Sequence, residues 1–264
     1  MSLPAHPLAA RMRELGAWLD AQEDLVPERE QFSAPPHGNA TISIDPDSDS
    51  PAASLNHNRV CLCGADGGLT REGFDELLGR FARRGIKRYF VWLSPGSDME
   101  RVREWLGAPG FTRVPWTRYP TLLLTEPAEP AKPHDFAIYA VNDITFSSAQ
   151  APLGDAVLAG YASTLGRPGF QHFIAYDGER PIAAAALVKF GDIGYLTYAG
   201  TVESDRKRGA QSALIAHRVA AARELGCTHI VSQTLTMLEQ SLANLQRAGF
   251  REIYEQEVYE FAAG

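Results

Sequence analysis

The sequence predicts an α/β fold in two related units, each a mixed sheet with helices on both faces, the first unit degenerate. Three observations carry this. From residue 58 onward, short β-branched and aromatic runs alternate with amphipathic helical stretches, the pattern of strands and helices sharing one sheet. The two halves echo each other: A-R-R-G-I-K-R-Y-F-V-W-L (82–93) has the layout of R-E-L-G-C-T-H-I-V-S-Q-T (223–234), and each is followed by a capped helix and a Gly-Phe pair. The spacing agrees, since Gly85 precedes Phe111 by 26 residues (111 − 85) and Gly226 precedes Phe250 by 24 (250 − 226). With 264 residues, 45% hydrophobic and 22% charged, the chain has the material for two modest cores.

The elements follow in order. Residues 7–22 place Leu8, Met12, Leu15 and Trp18 or Leu19 at helical spacing, and residues 31–57, rich in Pro, Ser, Asp, Asn and Gly, read as a long loop. Arg59 to Cys63 is a strand; residues 70–84 are a helix capped by Thr70 and stopped by Gly85; Arg88 to Leu93 is a strand. Ser97 to Glu100 is a capping box opening a helix to about Gly107, and Gly110-Phe111 with Thr121 to Leu124 suggests a closing strand pair. The domains read as 1–57, an N-terminal helix and polar loop; 58–127, the degenerate unit; 128–134, a Pro-rich linker; and 135–264, the active unit. In the last, a strand at 135–141, a helical stretch at about 147–164, and three strands at 170–177, 180–190 and 193–202 are joined by Asp177-Gly178 and Gly191-Asp192 turns. An Ala-rich helix at about 208–225, a strand at 227–233, a helix opened by the box Thr236 to Glu239, and two last strands at 250–254 and 256–262 complete it.

Composition excludes several classes. A formal charge of −7 and a pI near 5.5 offer no general attraction to nucleic acid. The apolar run Ile182 to Val188 is too short to span a bilayer, and Met1 to Ala10 has no basic-then-apolar leader pattern, so a cytoplasmic protein without a membrane partner is expected. Cys61, Cys63 and Cys227 are odd in number, and the first two lie on opposite faces of one strand, so reduced structural thiols are expected and no metal. Asp45, Asp47 and Asp49 resemble the start of a calcium loop. The glycine after the third Asp is missing and the twelfth position is Asn56, so the segment reads as a solvated turn.

The chemistry concentrates in Y-A-G-T-V-E-S-D-R-K-R-G-A-Q-S-A-L, residues 198–214. A strand ends, a polar loop carries Arg206, Lys207, Arg208 and Gly209, and a helix begins at once. The first amides of a helix have no internal partner, and glycine admits a phosphate close to the backbone. Hydrogen bonds to a charged group contribute about 1.5–3 kcal/mol each, against about 0.3–1 kcal/mol for the helix dipole. The amides therefore dominate such a site. The loop lacks G-x-x-x-x-G-K-[ST] and G-x-G-x-x-G, and on local physics alone a basic loop without a ligand is an equal reading.

R-K-R-G-A-Q (206–211) resembles the acyl-coenzyme A signature of the GNAT superfamily, [Q/R]-x-x-G-x-[G/A], and S-L-A-N-L-Q-R-A-G-F (241–250) resembles that family's later helix-to-strand motif. The resemblance covers the C-terminal half and departs at Gln211, where the family has Gly or Ala. It implies a GNAT fold with splayed central strands and an acetyl-CoA co-substrate. The amides of Arg208, Gly209, Ala210, Gln211 and Ser212 would then cradle the pyrophosphate, the strand edge at Ala199, Gly200 and Thr201 would pair with the pantetheine arm, and Asn244 would contact the cofactor. Many members use a Tyr in the helix before Gly-Phe as general acid. Here that place holds Asn244-Leu245-Gln246, which leaves Tyr198 and Glu203 as catalytic candidates. His217 and His229 read as packing residues, while Ser232 and Gln233 are candidates to line an acceptor pocket. Cys227 begins a buried strand and no G-x-S-x-G nucleophile is present.

The implied function is an acetyl-CoA-dependent N-acetyltransferase that moves acetyl to an amine of a small molecule or peptide by direct attack in a ternary complex. The alternative is an acyl-CoA-binding regulatory or scaffolding protein without turnover. The first half has an acidic loop, G-A-D-G-G-L-T-R-E-G (64–73), in the equivalent place, so it is expected not to bind cofactor, although Gly67 and Gly68 would admit a ligand. Homodimerisation and the identity of the acceptor stay open.

Overall fold

The computed structural model describes residues 6–22, 28–48, 57–62, 68–95, 99–115, 118–125, 136–141 and 161–263. In chain order the elements are α1 (Leu8–Gln22), β1 (Glu28–Gln31), β2 (Ala40–Ile44), β3 (Arg59–Leu62), α2 (Arg71–Arg83), β4 (Arg88–Leu93), α3 (Met99–Leu106), β5 (Phe111–Arg113), β6 (Tyr119–Leu124) and β7 (Ala137–Val141). They continue with β8 (Phe170–Asp177), β9 (Arg180–Phe190), β10 (Ile193–Thr201), α4 (Ala210–Glu224), β11 (His229–Gln233), α5 (Glu239–Arg247) and β12 (Phe250–Ala262). The proposed linker 128–134, the stretch 147–160, Asp49, Asn56, Cys63, Gly67 and Ser97 lie outside the described residues. None of the described helices is long and apolar enough to cross a membrane. The chain divides into two compact units, Met1–Pro120 with Tyr254–Gly264, and Thr121–Ile253.

In the first unit the strand order is β1-β2-β3-β4 and then β12, which also carries β5. Among the described residues of this unit β3 and β4 form the parallel pair, and α2 makes the crossover between them. Thr70 caps α2 as its sequence indicates, its hydroxyl accepting from the Gly73 amide at 3.1 Å, and Gly85 at φ +72° ends it. Phe74, Leu77 and Phe81 turn inward at i, i+3, i+7, and Tyr89 stacks between Phe81 and Phe261 at 4.3 and 4.7 Å.

Three sequence expectations fail here. The 31–57 loop contains strand β2, all five residues of it buried, and the loop is preceded by β1. Glu28–Gln31 is wholly polar and gives no period-2 signal, while Ala40–Ile44 does alternate, A-T-I-S-I, but is only five residues long and sits in a segment rich in Pro, Gly, Asn and Asp. The strands expected at 250–254 and 256–262 are one thirteen-residue strand, because no Gly or Pro interrupts it and its charges are paired. Glu255 meets Arg113, Glu260 meets Arg88, and the nearly buried Glu257 is clasped by Arg103 at 2.7–3.2 Å. Finally, β5 and β6 do not close on each other: β5 pairs β12 and β6 pairs β11.

In the second unit the order is β6-β11-β10-β9-β8-β7. Two-residue hairpins at Gly178-Glu179 and Gly191-Asp192 join β8, β9 and β10, with Gly178 and Gly191 at φ +62° and +59°. Helix α4 crosses from β10 to the parallel β11 and packs Leu214, Ile215, Val219 and Ala222 onto the sheet face formed by Phe173, Ala175, Ala183, Ala185 and Leu187. Gly194 makes this close approach necessary for β10, since a Cβ there would lie 2.8 Å from Cβ of Ala222. Helix α5 starts at Glu239 with Leu238 as N-cap and no side-chain cap bond, so the expected Thr236 box does not form; Thr234 instead donates to the Ser241 hydroxyl at 3.1 Å.

The opposite sheet face packs Val141, Tyr161, Ile174, Tyr176, Ala184 and Ala186. His172 lies in this layer at 1% exposure, its Nε2 3.1 Å from the Thr164 hydroxyl and its Nδ1 unpartnered. Burial pulls its pKa from 6.5 to about 4. The unfolded chain therefore takes up a proton at this site below pH ~6.5 that the folded chain refuses until about pH 4. Stability at this site is full above pH ~6.5 and falls on acidification, by about 3 kcal/mol across the window at ~1.36 kcal/mol per unit. Urea unfolding of the wild type and of His172→Gln at pH 7.0 and 4.5 checks this; the variant should lose most of that pH dependence.

Candidate active site

The site grows from a break in β10. Its parallel pairing with β11 runs from Ile193↔His229 to Leu196↔Ser232 and stops there, with the Ser232 hydroxyl donating to Leu196 O at 2.9 Å across the last rung. Against β9 the register slips between Thr197↔Ala186 and Gly200↔Ala184, so three steps along β10 match two along β9. This is a bulge, and Tyr198 within it takes φ +45°, a region costly for a non-glycine residue. The bulge inverts the side-chain alternation. In a regular strand Leu196 and Tyr198 would share a face; here Leu196 packs in the α4 layer and Tyr198 against the Tyr161 layer behind it. Ala199, Gly200 and Thr201 continue β10 beyond the end of its pairing with β11.

The chain then makes a short 3₁₀ turn, Glu203–Asp205, and passes through left-handed conformations at Lys207 (φ +66°) and Gly209 (φ +92°) before α4. Gly209 is the N-cap and offers no side chain to cap the helix. The first α-helical bond is made by Ala213 N to Gly209 O at 3.0 Å, so the amides of Ala210, Gln211 and Ser212 precede the helical ladder. The departure from the family signature is accounted for in place: Gln211 Nε2 donates to Gly200 O at 2.8 Å and to the Thr201 hydroxyl at 3.0 Å, tying α4 to the end of β10.

The three loop cations are not equivalent. Asp205, 3% exposed, accepts from Arg180 at 2.6 and 2.8 Å and from Arg208 at 2.6 Å, while Arg208 also donates to Asp177 at 2.7 Å. The Arg208 guanidinium neutralises two carboxylates and lies 5.7 Å from the Phe136 ring. The Arg180 guanidinium holds the Asp205 carboxyl well below the usual carboxylate range. Arg206 meets only the largely exposed Glu203, at 3.7 Å. Lys207 makes no ion pair among the described residues.

Other candidates fall into place by their partners. Asn244 accepts from Gln240 at 3.0 Å and from Arg247, both on its own helix. Gln233 accepts from the Tyr195 hydroxyl at 3.3 Å and donates to Thr121 at 2.8 Å, so it and Ser232 are held inside the sheet. His217 packs edge-on to Phe173 at 4.9 Å, with burial lowering its pKa, and His229 lies 3.3 Å from Asp192. Cys61 and Cys227 form no disulfide among the described residues; burial pushes the first up to about 11. The described residues contain no group of His, Cys, Asp and Glu able to hold a metal, and Asp45 is bonded to His57 and Asn58.

The sequence reading missed Asp177, Arg180, Asp205 and Arg218. Asp177 and Arg180 flank the β8–β9 hairpin and Asp205 ends the turn after β10, and no local spacing announces that the two turns meet. Arg218 did leave a signal, because it sits between Leu214 and Ala222 on the buried face of α4, where a charge is out of pattern.

Residues 137–250 match the family model of the acetyltransferase (GNAT) family. Among solved structures, a GCN5-related N-acetyltransferase from Kribbella flavida superposes with TM-score 0.66 at 16% identity, covering 98% of this chain and 97% of that one. A GNAT-family acetyltransferase from Colwellia psychrerythraea gives 0.54 at 13%, covering 99% of each chain. A functionally unknown conserved protein from Staphylococcus epidermidis gives 0.55 at 13%, covering 91% of this chain and 97% of that one. Curated proteins give no match. These likenesses extend the fold over nearly the whole chain, while the match to the acetyltransferase (GNAT) family model falls on residues 137–250, the segment that holds the β10 bulge and the α4 loop.

Proposed function

We propose that the chain transfers the acetyl group of acetyl-CoA to an amine of a small molecule or peptide, by direct attack in a ternary complex. The observation that carries this reading is the uncapped glycine N-terminus of α4 standing beside the point where β10 leaves β11. The amides of Arg208 to Ser212 receive the pyrophosphate, with Arg206 and Lys207 as the cations available to it. The strand edge at Ala199, Gly200 and Thr201 receives the pantetheine arm by strand addition, and Gln211 leaves part of that edge to it. Asn244 contacts the cofactor through its amide nitrogen. In the reaction the amine nitrogen bonds to the thioester carbonyl carbon, the carbon–sulfur bond breaks, coenzyme A leaves as thiolate, and the amine loses one proton.

A primary amine with a reference pKa near ~10.4 is mostly protonated at pH 7, and reaching the neutral nucleophile costs about 4–5 kcal/mol. Desolvation and proton transfer through water supply this. Tyr198 is partly buried with its ring in the layer behind the bulge, and the Glu203 side chain is 89% exposed, so neither has the setting of a sole general base. The leaving thiolate, of thiol pKa near ~8.5, departs without a dedicated acid. Tyr198→Phe and Glu203→Gln should each lower kcat by roughly tenfold to a hundredfold. Thiol release from acetyl-CoA with a panel of primary amines, run from pH 6 to 10, measures it; a ten-thousand-fold loss in either variant with acetyl-CoA binding unchanged would name that residue as the catalyst.

The same panel separates the second reading, a regulatory acyl-CoA binder. It is favoured by one feature, the absence of Tyr from Asn244-Leu245-Gln246, and it requires tight binding with no amine-dependent release. We also read the first unit as a diverged, non-binding copy of the second. In support, α2 and α4 each link a parallel strand pair, β3–β4 and β10–β11, and each pair is followed by a second helix and further strands.

A further inference from the structure

Arg218 is 2% exposed, in the third turn of α4, and no carboxylate pairs with it among the described residues. Its Nε donates to Leu214 O at 3.1 Å, and its Nη1 donates to both Ala186 O at 3.0 Å and Thr197 O at 3.2 Å. An unpaired buried cation is costly to keep, so what it bonds is informative. Ala186 and Thr197 are register partners, the last rung before β10 slips against β9. A bulge interrupts the ladder and leaves carbonyls short of donors. Here one guanidinium serves both carbonyls of that last rung.

We propose that Arg218 is a positioning residue of the acyl-transfer site: its guanidinium replaces the ladder donor lost at the bulge and fixes the Thr197–Tyr198 peptide against the separated strands. The inference rests on the acetyltransferase reading. The peptide is trans, so with Thr197 O held toward Arg218 and β9, the Tyr198 N–H points the opposite way, toward the flank of β10 that β11 has left. A cationic donor on the carbonyl polarises the peptide and strengthens that N–H. The left-handed Tyr198 persists only where its surroundings over-determine it, and Arg218 is the side chain that does so from the carbonyl side. Arg218 acts through this peptide on the acyl arm and leaves the α4 N-terminus untouched.

The test compares two ligands on Arg218→Met. ADP probes the phosphate loop alone, and acetyl-CoA probes loop and strand edge together. Calorimetry should show ADP affinity within about twofold of wild type, acetyl-CoA affinity weaker by about tenfold or more, and kcat at saturating acetyl-CoA down by at least as much. Arg218→Lys, which keeps a cation but not the forked donors, should recover part of both losses. Equal weakening of ADP and acetyl-CoA, or an unchanged kcat, would overturn the proposal. So would failure of both variants to fold, which would assign Arg218 to the core rather than to the groove. If the unmutated protein binds neither ligand, the acetyltransferase reading itself fails, and with it this inference.

Discussion

Gly209→Val should weaken acetyl-CoA binding by at least about a hundredfold in a protein that still folds. Gly209 is the N-cap of α4 and sets the approach to the amides of Ala210, Gln211 and Ser212. Excluding a pyrophosphate from two such bonds, at about 1.5–3 kcal/mol each, removes about 3–6 kcal/mol, which is more than two decades in affinity. The substitution also strains the backbone, since φ is +92° and the left-handed region costs a non-glycine residue about 1–2 kcal/mol. Gly209→Ala carries the same strain with less bulk and separates the two effects. Titration calorimetry with acetyl-CoA, alongside circular dichroism, should rank affinity as wild type above Ala above Val. Near-normal affinity in folded Gly209→Val would mean that the phosphate does not dock here.

Asp205→Asn should weaken acetyl-CoA binding by about tenfold or more without removing any atom that touches the cofactor. The carboxylate draws Arg180 of the β8–β9 hairpin and Arg208 of the phosphate loop onto one point. Neutralising it leaves two guanidiniums facing each other with Asp177 alone to share. The loop then loses the anchor that sets Lys207 and Gly209 in their left-handed conformations, and preorganised binding is what such anchors supply. Because Arg180 depresses the Asp205 pKa below its ordinary 3.8, the anchor is complete above pH ~4 and is lost only on further acidification. Binding in the wild type should therefore be insensitive to this group from pH 5 to 9, and Asp205→Asn should be weak across that whole range. Calorimetric titrations at pH 5, 7 and 9 check both statements; an unchanged affinity in the variant would show that the anchor does not shape the loop.

How far the sequence announced this site depends on the range of each interaction. The loop before α4 was legible because its parts are contiguous: a strand end, three cations, a glycine and a helix start within a few residues. The cap of α2 by Thr70 and the two-residue hairpins at Gly178 and Gly191 were legible for the same cause. The Thr236 box was not realised, although its residue pattern is sound, because the chain leaving β11 bends first and α5 begins only at Glu239. What escaped the reading is non-local. The sequence shows Tyr198 on a strand, but the bulge that turns it to the other face is visible only in the pairing of β10 with β9. Arg208 pairs locally with Asp205, but its bond to Asp177 and that of Arg180 to Asp205 arise only when the β8–β9 hairpin meets this loop. Gln211 reads as a defect in a motif until its amide is seen on Gly200 O. β1 was hidden because it is all polar, and β2, a short alternating run, because turn-forming residues flank it on both sides.

The central claim is that the chain holds one acetyl-CoA, by its pyrophosphate, at the N-terminus of α4. The most direct measurement is an equilibrium titration of the unmutated protein with acetyl-CoA, repeated in the presence of saturating ADP. The account predicts one acetyl-CoA per chain, displaced competitively by ADP. Two acetyl-CoA per chain, or binding that ADP leaves unaffected, would contradict it.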